Sequence, residues 1–289
     1  MMSSPQKHKV FYGYWIVVVA FLCVFIQTGC GFSTFSLFVK PLQADFGWGR
    51  GVVMAAFTIL MLVQGLLGPF VGRMVDRYGV NKVIGTGALI VGLGFVSVSL
   101  ANSLWHFYLS YVVISIGMAA IGPIPASAVV SNWFKRKRGL AIGIMATGLG
   151  IASLVFAPLV GGYLIPTFGW RNAYLALALI TCVVLIPLAL WVVKTKPADM
   201  GLYPDGLTAP EVVSIPEASH SATGGLTLRM ALATSTLWLI VTSFIVSCLS
   251  HGGVIQNQVP HLDDLGFPVI TAATVLGVFG VGSAIGKFG

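Results

Sequence analysis

Long apolar stretches alternate with short polar segments along the whole chain. Each stretch is about 20 residues or longer, enough for an α-helix to cross a hydrocarbon layer of about 30 Å. Because backbone N–H and C=O groups must pair internally in lipid, we expect helices rather than isolated strands. The pattern predicts eight membrane-spanning helices, at residues 12–39, 51–71, 83–100, 105–131, 140–165, 173–193, 235–259 and from 268 onward.

One polar segment is much longer than the others and divides the chain. Residues 194–230 contain four prolines, several acidic residues and a Ser/Thr/Gly cluster, as a linker does. The predicted organisation is a six-helix bundle over residues 1–193, a linker over residues 194–230 and the first two helices of a second bundle over residues 231–289. The predicted fold class is an all-α membrane protein.

The composition agrees with this picture and excludes several classes of function. Hydrophobic residues make up 57% of the chain and charged residues 8%, whereas a soluble domain has about 25% charged residues. The four cysteines lie inside apolar stretches without metal-ligand spacing, so we interpret them as packing residues. We expect no cofactor, no metal site and no enzymatic activity, because the sequence has no nucleophile motif, nucleotide loop or His/Cys/Asp cluster.

The net charge of +8 reflects membrane topology rather than nucleic-acid binding, because the cations collect on alternate loops. Twelve basic residues fall on the face that carries the N-terminus, here called the basic face: Lys7, Lys9, Arg73, Arg77, Lys82, Lys135, Arg136, Lys137, Arg138, Lys194, Lys196 and Arg229. The opposite face carries three, Lys40, Arg50 and Arg171. The positive-inside rule then predicts a multi-pass protein of the inner (plasma) membrane with a cytoplasmic N-terminus. We expect the run at 135–138 to contact anionic membrane lipid.

A polar segment between the second and third predicted spans carries the most specific motif. It reads Gly72-Arg73-Met74-Val75-Asp76-Arg77-Tyr78-Gly79-Val80-Asn81-Lys82, and such a polar turn is too costly to lie inside lipid. It resembles the signature loop of the major facilitator superfamily, roughly Gly-x-x-x-Asp-Arg-x-Gly-x-x-Lys/Arg. Further stretches resemble the monocarboxylate transporters of that superfamily and their bacterial relatives, including the oxalate:formate antiporters: residues 12–15 with 38–42 and 46–48, 132–143, 168–171 and 196–206.

The resemblance implies a transporter fold of two six-helix bundles, with twelve spans when complete and a central cytoplasmic linker. About eight spans fall in this chain, so we expect four further spans beyond it. The resemblance also implies that Gly72, Asp76, Arg77 and Gly79 form a conformational latch that holds the outward-open state. The alternative is a solvated turn that only follows the charge asymmetry of the loops.

Polar residues within apolar spans are the candidates for substrate binding, because burying them in a membrane is costly. The predicted site residues are Gln27 and Ser33 in span one, His251, Asn257 and Gln258 in span seven, and Lys287 in span eight. His251 can titrate near physiological pH and is the candidate for proton coupling.

The resemblance refines the interpretation of two of these residues. Lys287 matches a basic residue of span eight, and Ser33 stands where the animal transporters carry a functional lysine, which this chain lacks. The structural alternatives are a lysine that reaches the membrane interface and, for His251, a neutral side chain bonded to a neighbouring helix.

The residues and the resemblance together predict a secondary active transporter. We expect proton-coupled symport of a small monocarboxylate, such as L-lactate or pyruvate, by alternating access and as a monomer. The alternative is an organic anion antiporter of the oxalate:formate type, which two buried cations facing the cavity would favour. A membrane enzyme has no supporting motif, and a non-transporting sensor would bind its ligand without uptake.

Overall fold

Helices form all the regular secondary structure in the part of the chain described by this computed structural model, residues 11–206 and 233–285. They are α1 (Gly13–Ile26), α2 (Phe35–Phe46), α3 (Arg50–Tyr78), α4 (Val80–Ser99), α5 (Leu104–Ile121), α6 (Pro123–Trp133), α7 (Arg138–Ala157), α8 (Ile165–Pro187), α9 (Ser235–Asp264) and α10 (Val269–Ile285). Wider π-helical segments continue three of them, at Gln27–Ser33, Pro158–Leu164 and Leu188–Val192. The prediction of an all-α fold is confirmed.

Within the described residues, five continuous helical runs are long and apolar enough to cross a membrane: 13–46, 50–78, 80–99, 104–133 and 138–192. The last run is 55 residues long and contains two of the predicted spans. Gly169 interrupts it with φ 78° and ψ 164°, at the position where the sequence predicts the loop between spans five and six. The six spans predicted for the first bundle therefore all correspond to described helices.

The signature segment between the second and third spans is far more helical than its polarity indicates. Helix α3 continues to Tyr78 and α4 begins at Val80, so Gly79 alone connects them, with φ 87° and ψ 152°. The prediction of an eleven-residue polar turn is therefore wrong. Long charged side chains reach water from a helical backbone, so a polar stretch marks where a helix leaves the membrane and not where it ends.

The surface of the helix assembly is apolar, as expected for a protein surrounded by lipid. Leu66 on α3 is 72% exposed and Leu179 on α8 is 64% exposed, and both lie within predicted spans. Soluble proteins rarely expose large contiguous apolar surfaces. The exposed surface of these helices is therefore suited to lipid contact.

Helices α9 and α10, which follow the linker, pack against different helices of the first bundle. Helix α9 contacts α2, and α10 lies along α7. The contact with α7 is very close, because a β-carbon at Gly280 would lie 2.3 Å from the carbonyl oxygen of Gly150. These two contacts define the described interface between the first bundle and the start of the second.

Candidate functional site

Gln27 joins three helices in the interior of the first bundle. It is 3% exposed, and its Nε2 donates to Gln64 Oε1 on α3 and to the Met118 carbonyl oxygen on α5, both at 3.2 Å. Met118 lies four residues before Gly122, where α5 breaks into an extended conformation ahead of Pro123. Carbonyls in the last turn of a helix lose their regular donor, and Gln27 supplies one to Met118.

A second polar contact lies at the other end of the same π-helical segment. Ser33 is 3% exposed, and its hydroxyl lies 2.7 Å from that of Ser153 on α7. The carbonyl oxygen of the preceding residue, Phe32, accepts a hydrogen bond of 2.9 Å from Gln256 Nε2 on α9. Isolated π-helical turns occur frequently at functional sites, and this one brings polar groups of the first bundle to the first helix of the second.

Four buried side-chain atoms have no hydrogen-bond partner among the described residues. They are Ser36 Oγ, Gln64 Nε2, Gln256 Oε1 and Gln258 Oε1. A buried polar group that lacks a partner is energetically costly, and polar groups inside membrane spans mark substrate paths. These atoms can therefore hydrogen-bond to a polar ligand or to water.

The predicted site residues separate into three groups. Gln27, Ser33 and Gln258 are the members that contribute buried polar atoms to this region. Asn257 is instead exposed, and its Oδ1 accepts a 3.0 Å hydrogen bond from Arg50 Nη2 near the opposite face. The side chain of His251 and all of Lys287 lie outside the described residues, so their proposed roles stay predictions.

An ion-pair cluster joins the two bundles at the opposite face. Lys40 Nζ at the end of span one lies 2.8 Å from Asp263 Oδ2 and 3.0 Å from Asp264 Oδ1, at the end of α9. Arg50 Nη1 at the start of α3 lies 3.4 Å from Asp264 Oδ2. Hydrogen bonding from Lys40 holds the pKa of the Asp264 carboxyl below its usual value, which favours the ionised form of Asp264.

The third cation of the opposite face forms a separate pair within the first bundle. Arg171 bonds to Asp45, and its Nη2 donates to the Ala101 carbonyl oxygen at 3.2 Å. Trp170 Nε1 also donates to Asp45, at 3.2 Å. The hydrogen bond from Arg171 lowers the pKa of the Asp45 carboxyl.

Sequence reasoning missed both sets of ion pairs, although the sequence holds a signal for them. The opposite face has three basic residues, and the segments after predicted spans one and seven place Asp45, Asp263 and Asp264 on the same face. Such sparse charges beside a membrane are expected to pair with one another. The choice of partner depends on which helices are neighbours, and the spacing along the chain does not reveal that.

A cleft of about 470 Å³ lies at the basic face. It is lined by residues of α3, α6, α7 and the start of the linker: Val75, Asp76, Ser127, Ala128, Ser131, Asn132, Arg138, Thr195 and Lys196. Asp76 is exposed there and forms no hydrogen bond or ion pair with any described residue. The arrangement offers a carboxylate that is available to a partner from elsewhere in the protein.

The other predicted latch residues lie in α3 or directly after it and are not among the residues that line the cleft. Arg77 is exposed at the end of α3, with its guanidinium 5.3 Å from the centre of the Tyr78 ring. Gly79 forms the connection to α4, where the Val80 N–H donates to Thr195 Oγ1 at 3.3 Å. Gly72 lies within α3, and a β-carbon there would meet no heavy atom within 4 Å.

The start of the linker binds to the first bundle through backbone groups. Asp205 Oδ2 accepts from the amides of Lys135 at 2.9 Å and Arg136 at 2.7 Å. Trp133 Nε1 donates to the Lys194 carbonyl oxygen at 2.8 Å. The side chains of the basic run at 135–138 remain exposed, which leaves them free to contact anionic lipid as the sequence predicts.

Fold and site together define a multi-pass helical membrane protein with a polar interior between two helix groups. The chain belongs to the Major Facilitator Superfamily, whose family model matches residues 20–289. A bacterial homologue of the human lysosomal transporter Spinster, solved in an inward-facing and unoccupied conformation, superimposes with a TM-score of 0.70 at 18% identity. That comparison covers 99% of this chain and 61% of the other, and it supports the same fold.

Within the superfamily, the chain is similar to monocarboxylate transporters, as the sequence motifs predict. Monocarboxylate transporter 13 of Rattus norvegicus is 30% identical over 94% of this chain and 59% of its own length. Monocarboxylate transporter 4 of the same species is 28% identical over 96% of this chain and 57% of its own length. The chain thus spans somewhat less than three-fifths of these relatives.

Proposed function

We propose that the protein transports a small monocarboxylate together with a proton by alternating access. The observation that carries this proposal is the similarity to monocarboxylate transporters along nearly the whole chain. Gln256 supports it, because its Nε2 on α9 donates to the Phe32 carbonyl oxygen of the first bundle, where the two bundles approach each other. Gln27 and Gln64 add polar groups in the interior of the first bundle. In transporters of this architecture the substrate binds near the bilayer midplane between the repeats.

The chemistry of the polar interior is suited to a small organic anion. Gln64 Nε2 is a buried donor without a described partner, and a carboxylate oxygen can accept from it. Neutral amides orient an anion but do not balance its charge, and a buried charge requires a partner of opposite sign. We assign that role to Lys287 in span eight and the proton-coupling role to His251.

The positions of the contacts support an inward-open state. We take the basic face as cytoplasmic, since Lys and Arg are concentrated there. The opposite face, then the outer one, is closed by ion pairs between the bundles, while Asp76 on the cytoplasmic side has no described partner. In this interpretation the signature segment is a latch that forms when the cytoplasmic side closes.

Uptake by the full-length protein in proteoliposomes tests the proposal. We expect labelled L-lactate to accumulate under an inward proton gradient and to be lost when a protonophore is added. The absence of accumulation, combined with rapid exchange in vesicles preloaded with formate or oxalate, would replace symport by antiport. The buried polar atoms without a described partner belong to serine and glutamine side chains, which carry no charge, so they provide no pair of cations for a dicarboxylate.

A further inference from the structure

The ion pairs of the opposite face fall into two classes that differ in what they connect. Lys40 and Arg50 of the first bundle pair with Asp263 and Asp264 of α9, whereas Arg171 pairs with Asp45 inside the first bundle. We propose that Lys40, Arg50, Asp263 and Asp264 form the outer gate of the transport path. The proposal rests on the transport function proposed above. It names residues that hold the two bundles together at the outer side during the transport cycle.

The geometry requires these pairs to separate whenever the outer side opens. Both cations lie at the outer ends of helices in one bundle, and both carboxylates end the first helix of the other. Rocking one bundle against the other changes the distances between them and leaves distances within a bundle unchanged. The pair of Arg171 and Asp45 should therefore persist throughout the cycle, while the gate pairs form and break once per cycle.

Asn257 extends the gate by one hydrogen bond toward the interior. Its Oδ1 accepts from Arg50 Nη2 at 3.0 Å, so the Arg50 guanidinium contacts α9 at two positions. Asn257 precedes Asp264 by seven residues, which is two turns and hence the same side of a helix. From the sequence, Asn257 is predicted to contact the substrate. In this structure its side chain instead supports the gate.

A small chamber lies directly beneath the gate. Its volume is about 110 Å³, and its lining includes Lys40, Asp263, Ser36, Leu37, Val259 and Pro260. The Ser36 hydroxyl is buried and lacks a described partner. Because Lys40 and Asp263 line the chamber themselves, their separation would connect it with the outer solution, and a reporter at Ser36 would detect that opening.

Solvent exposure limits the strength of each contact. The side chains of Lys40, Arg50 and Asp264 are 41%, 35% and 53% exposed, and exposed ion pairs individually contribute little. Several pairs acting on the same closed state add their effects. The gate is therefore strong enough to bias an equilibrium between two conformations and weak enough to open repeatedly.

The test measures outer accessibility and does not depend on transport. The full-length protein, with its native cysteines replaced by alanine and carrying Ser36→Cys, is labelled in intact cells with a membrane-impermeant maleimide. Removing the gate carboxylates with Asp263→Asn and Asp264→Asn should raise the labelling rate by roughly threefold to tenfold, the effect of a few exposed pairs. The matched control Asp45→Asn removes a carboxylate from the same face and should leave the rate unchanged.

Charge reversal separates a gate from a general loss of structure. Lys40→Asp alone should raise the labelling rate, because it places three carboxylates together. Combining Lys40→Asp with Asp263→Lys should return the rate to that of the parent. Equal rates in the parent and the Asn variants, or an equal increase with Asp45→Asn, would overturn the proposal.

A failure of the proposed transport function would look different. Protein that takes up no monocarboxylate but shows the expected labelling pattern keeps the gate and loses only the substrate assignment. Should the double Asn variant not reach the membrane, Arg50→Gln provides a second disruption of the gate with the same expected increase. No increase in a correctly inserted Arg50→Gln protein would likewise contradict the gate.

Discussion

At the scale of single residues, Gln27 shows how a polar side chain becomes necessary inside a membrane bundle. Its amide satisfies the Met118 carbonyl oxygen at the break before Pro123 and also bonds to Gln64. The break is itself a consequence of proline, which lacks an N–H and cannot continue the hydrogen bonding of α5. A kink in one helix is thus stabilised by a side chain of another.

We expect Gln27→Leu to destabilise the protein, although the volume of the side chain stays nearly unchanged. The substitution leaves the Met118 carbonyl oxygen and Gln64 without their donor, at a cost of about 1–3 kcal/mol per buried group. Thermal unfolding of the detergent-solubilised protein measures the loss. The control Gln64→Leu removes one of these hydrogen bonds and keeps the other, so a larger loss of Tm in this control would contradict the assignment.

The Asp45 carboxyl gives a pH dependence with a definite sign. The hydrogen bond from Arg171 lowers the pKa of this carboxyl below its usual value in the folded state. The stabilisation is therefore complete at pH values above the pKa of the unfolded state, and it is lost as the pH falls through the pKa of the folded state. The Tm difference between the parent and Asp45→Asn should be constant from about pH 5 to 8 and shrink below about pH 4. A difference that vanishes near pH 6 would contradict this pairing.

At the scale of helices, Gly79 decides how α3 and α4 meet. Its φ of 87° is strained for residues with a side chain, and a β-carbon would lie 2.9 Å from Thr195 Oγ1. The same hydroxyl accepts the Val80 N–H at the start of α4. The glycine thus allows the shortest connection and lets the linker stabilise the start of the next helix.

Alanine substitutions at the two glycines of the signature segment should have opposite effects on stability. Gly79→Ala should destabilise by about 1–3 kcal/mol, because alanine resists the combination of φ 87° and ψ 152°, which only glycine adopts readily. Gly72→Ala lies inside a helix with no heavy atom near the new methyl group, so it should be neutral or stabilising by up to about 1 kcal/mol. Thermal unfolding of both variants checks the order, and a larger loss at Gly72 would contradict it.

The same pair of variants also addresses the proposed latch. If the latch requires a close contact at Gly72 when the cytoplasmic side is closed, Gly72→Ala should slow uptake although it does not reduce the Tm. Uptake equal to that of the parent would remove Gly72 from the latch.

The sequence predicts helices well and their contacts poorly, for physical reasons. Apolar length alone identifies the spans, since only a continuous helix satisfies the backbone in lipid, and Gln27 and Ser33 stand out as polar residues in span one. Nothing local identifies the partners of Lys40, because Asp263 is more than 200 residues away and meets it only when α9 packs on α2. The sequence did not predict the helical conformation of residues 72–78, because the polarity of a segment indicates its exposure to solvent and not its backbone conformation.

At the scale of the whole molecule, two of the described contacts between the bundles are of different kinds. The gate uses charged groups that separate into water at moderate cost, as exposed pairs do. The contact of α7 with α10 uses backbone surfaces that approach closely at Gly150 and Gly280. Close contacts between small residues let membrane helices pack without a hydrophobic driving force, and they suit a part of the interface about which the bundles turn.

A side chain added at Gly280 should therefore impair assembly of the bundles more than the same side chain added at Gly282. A β-carbon at Gly280 would lie 2.3 Å from the Gly150 carbonyl oxygen, whereas one at Gly282 would meet no described heavy atom within 4 Å. We expect Gly280→Ala to cost about 1–3 kcal/mol, as overpacking does, and Gly282→Ala to cost little. Thermal unfolding of the two variants of the full-length protein measures the difference. Equal Tm values would show that α7 and α10 separate easily, and the turning point of the bundles would then have to lie elsewhere.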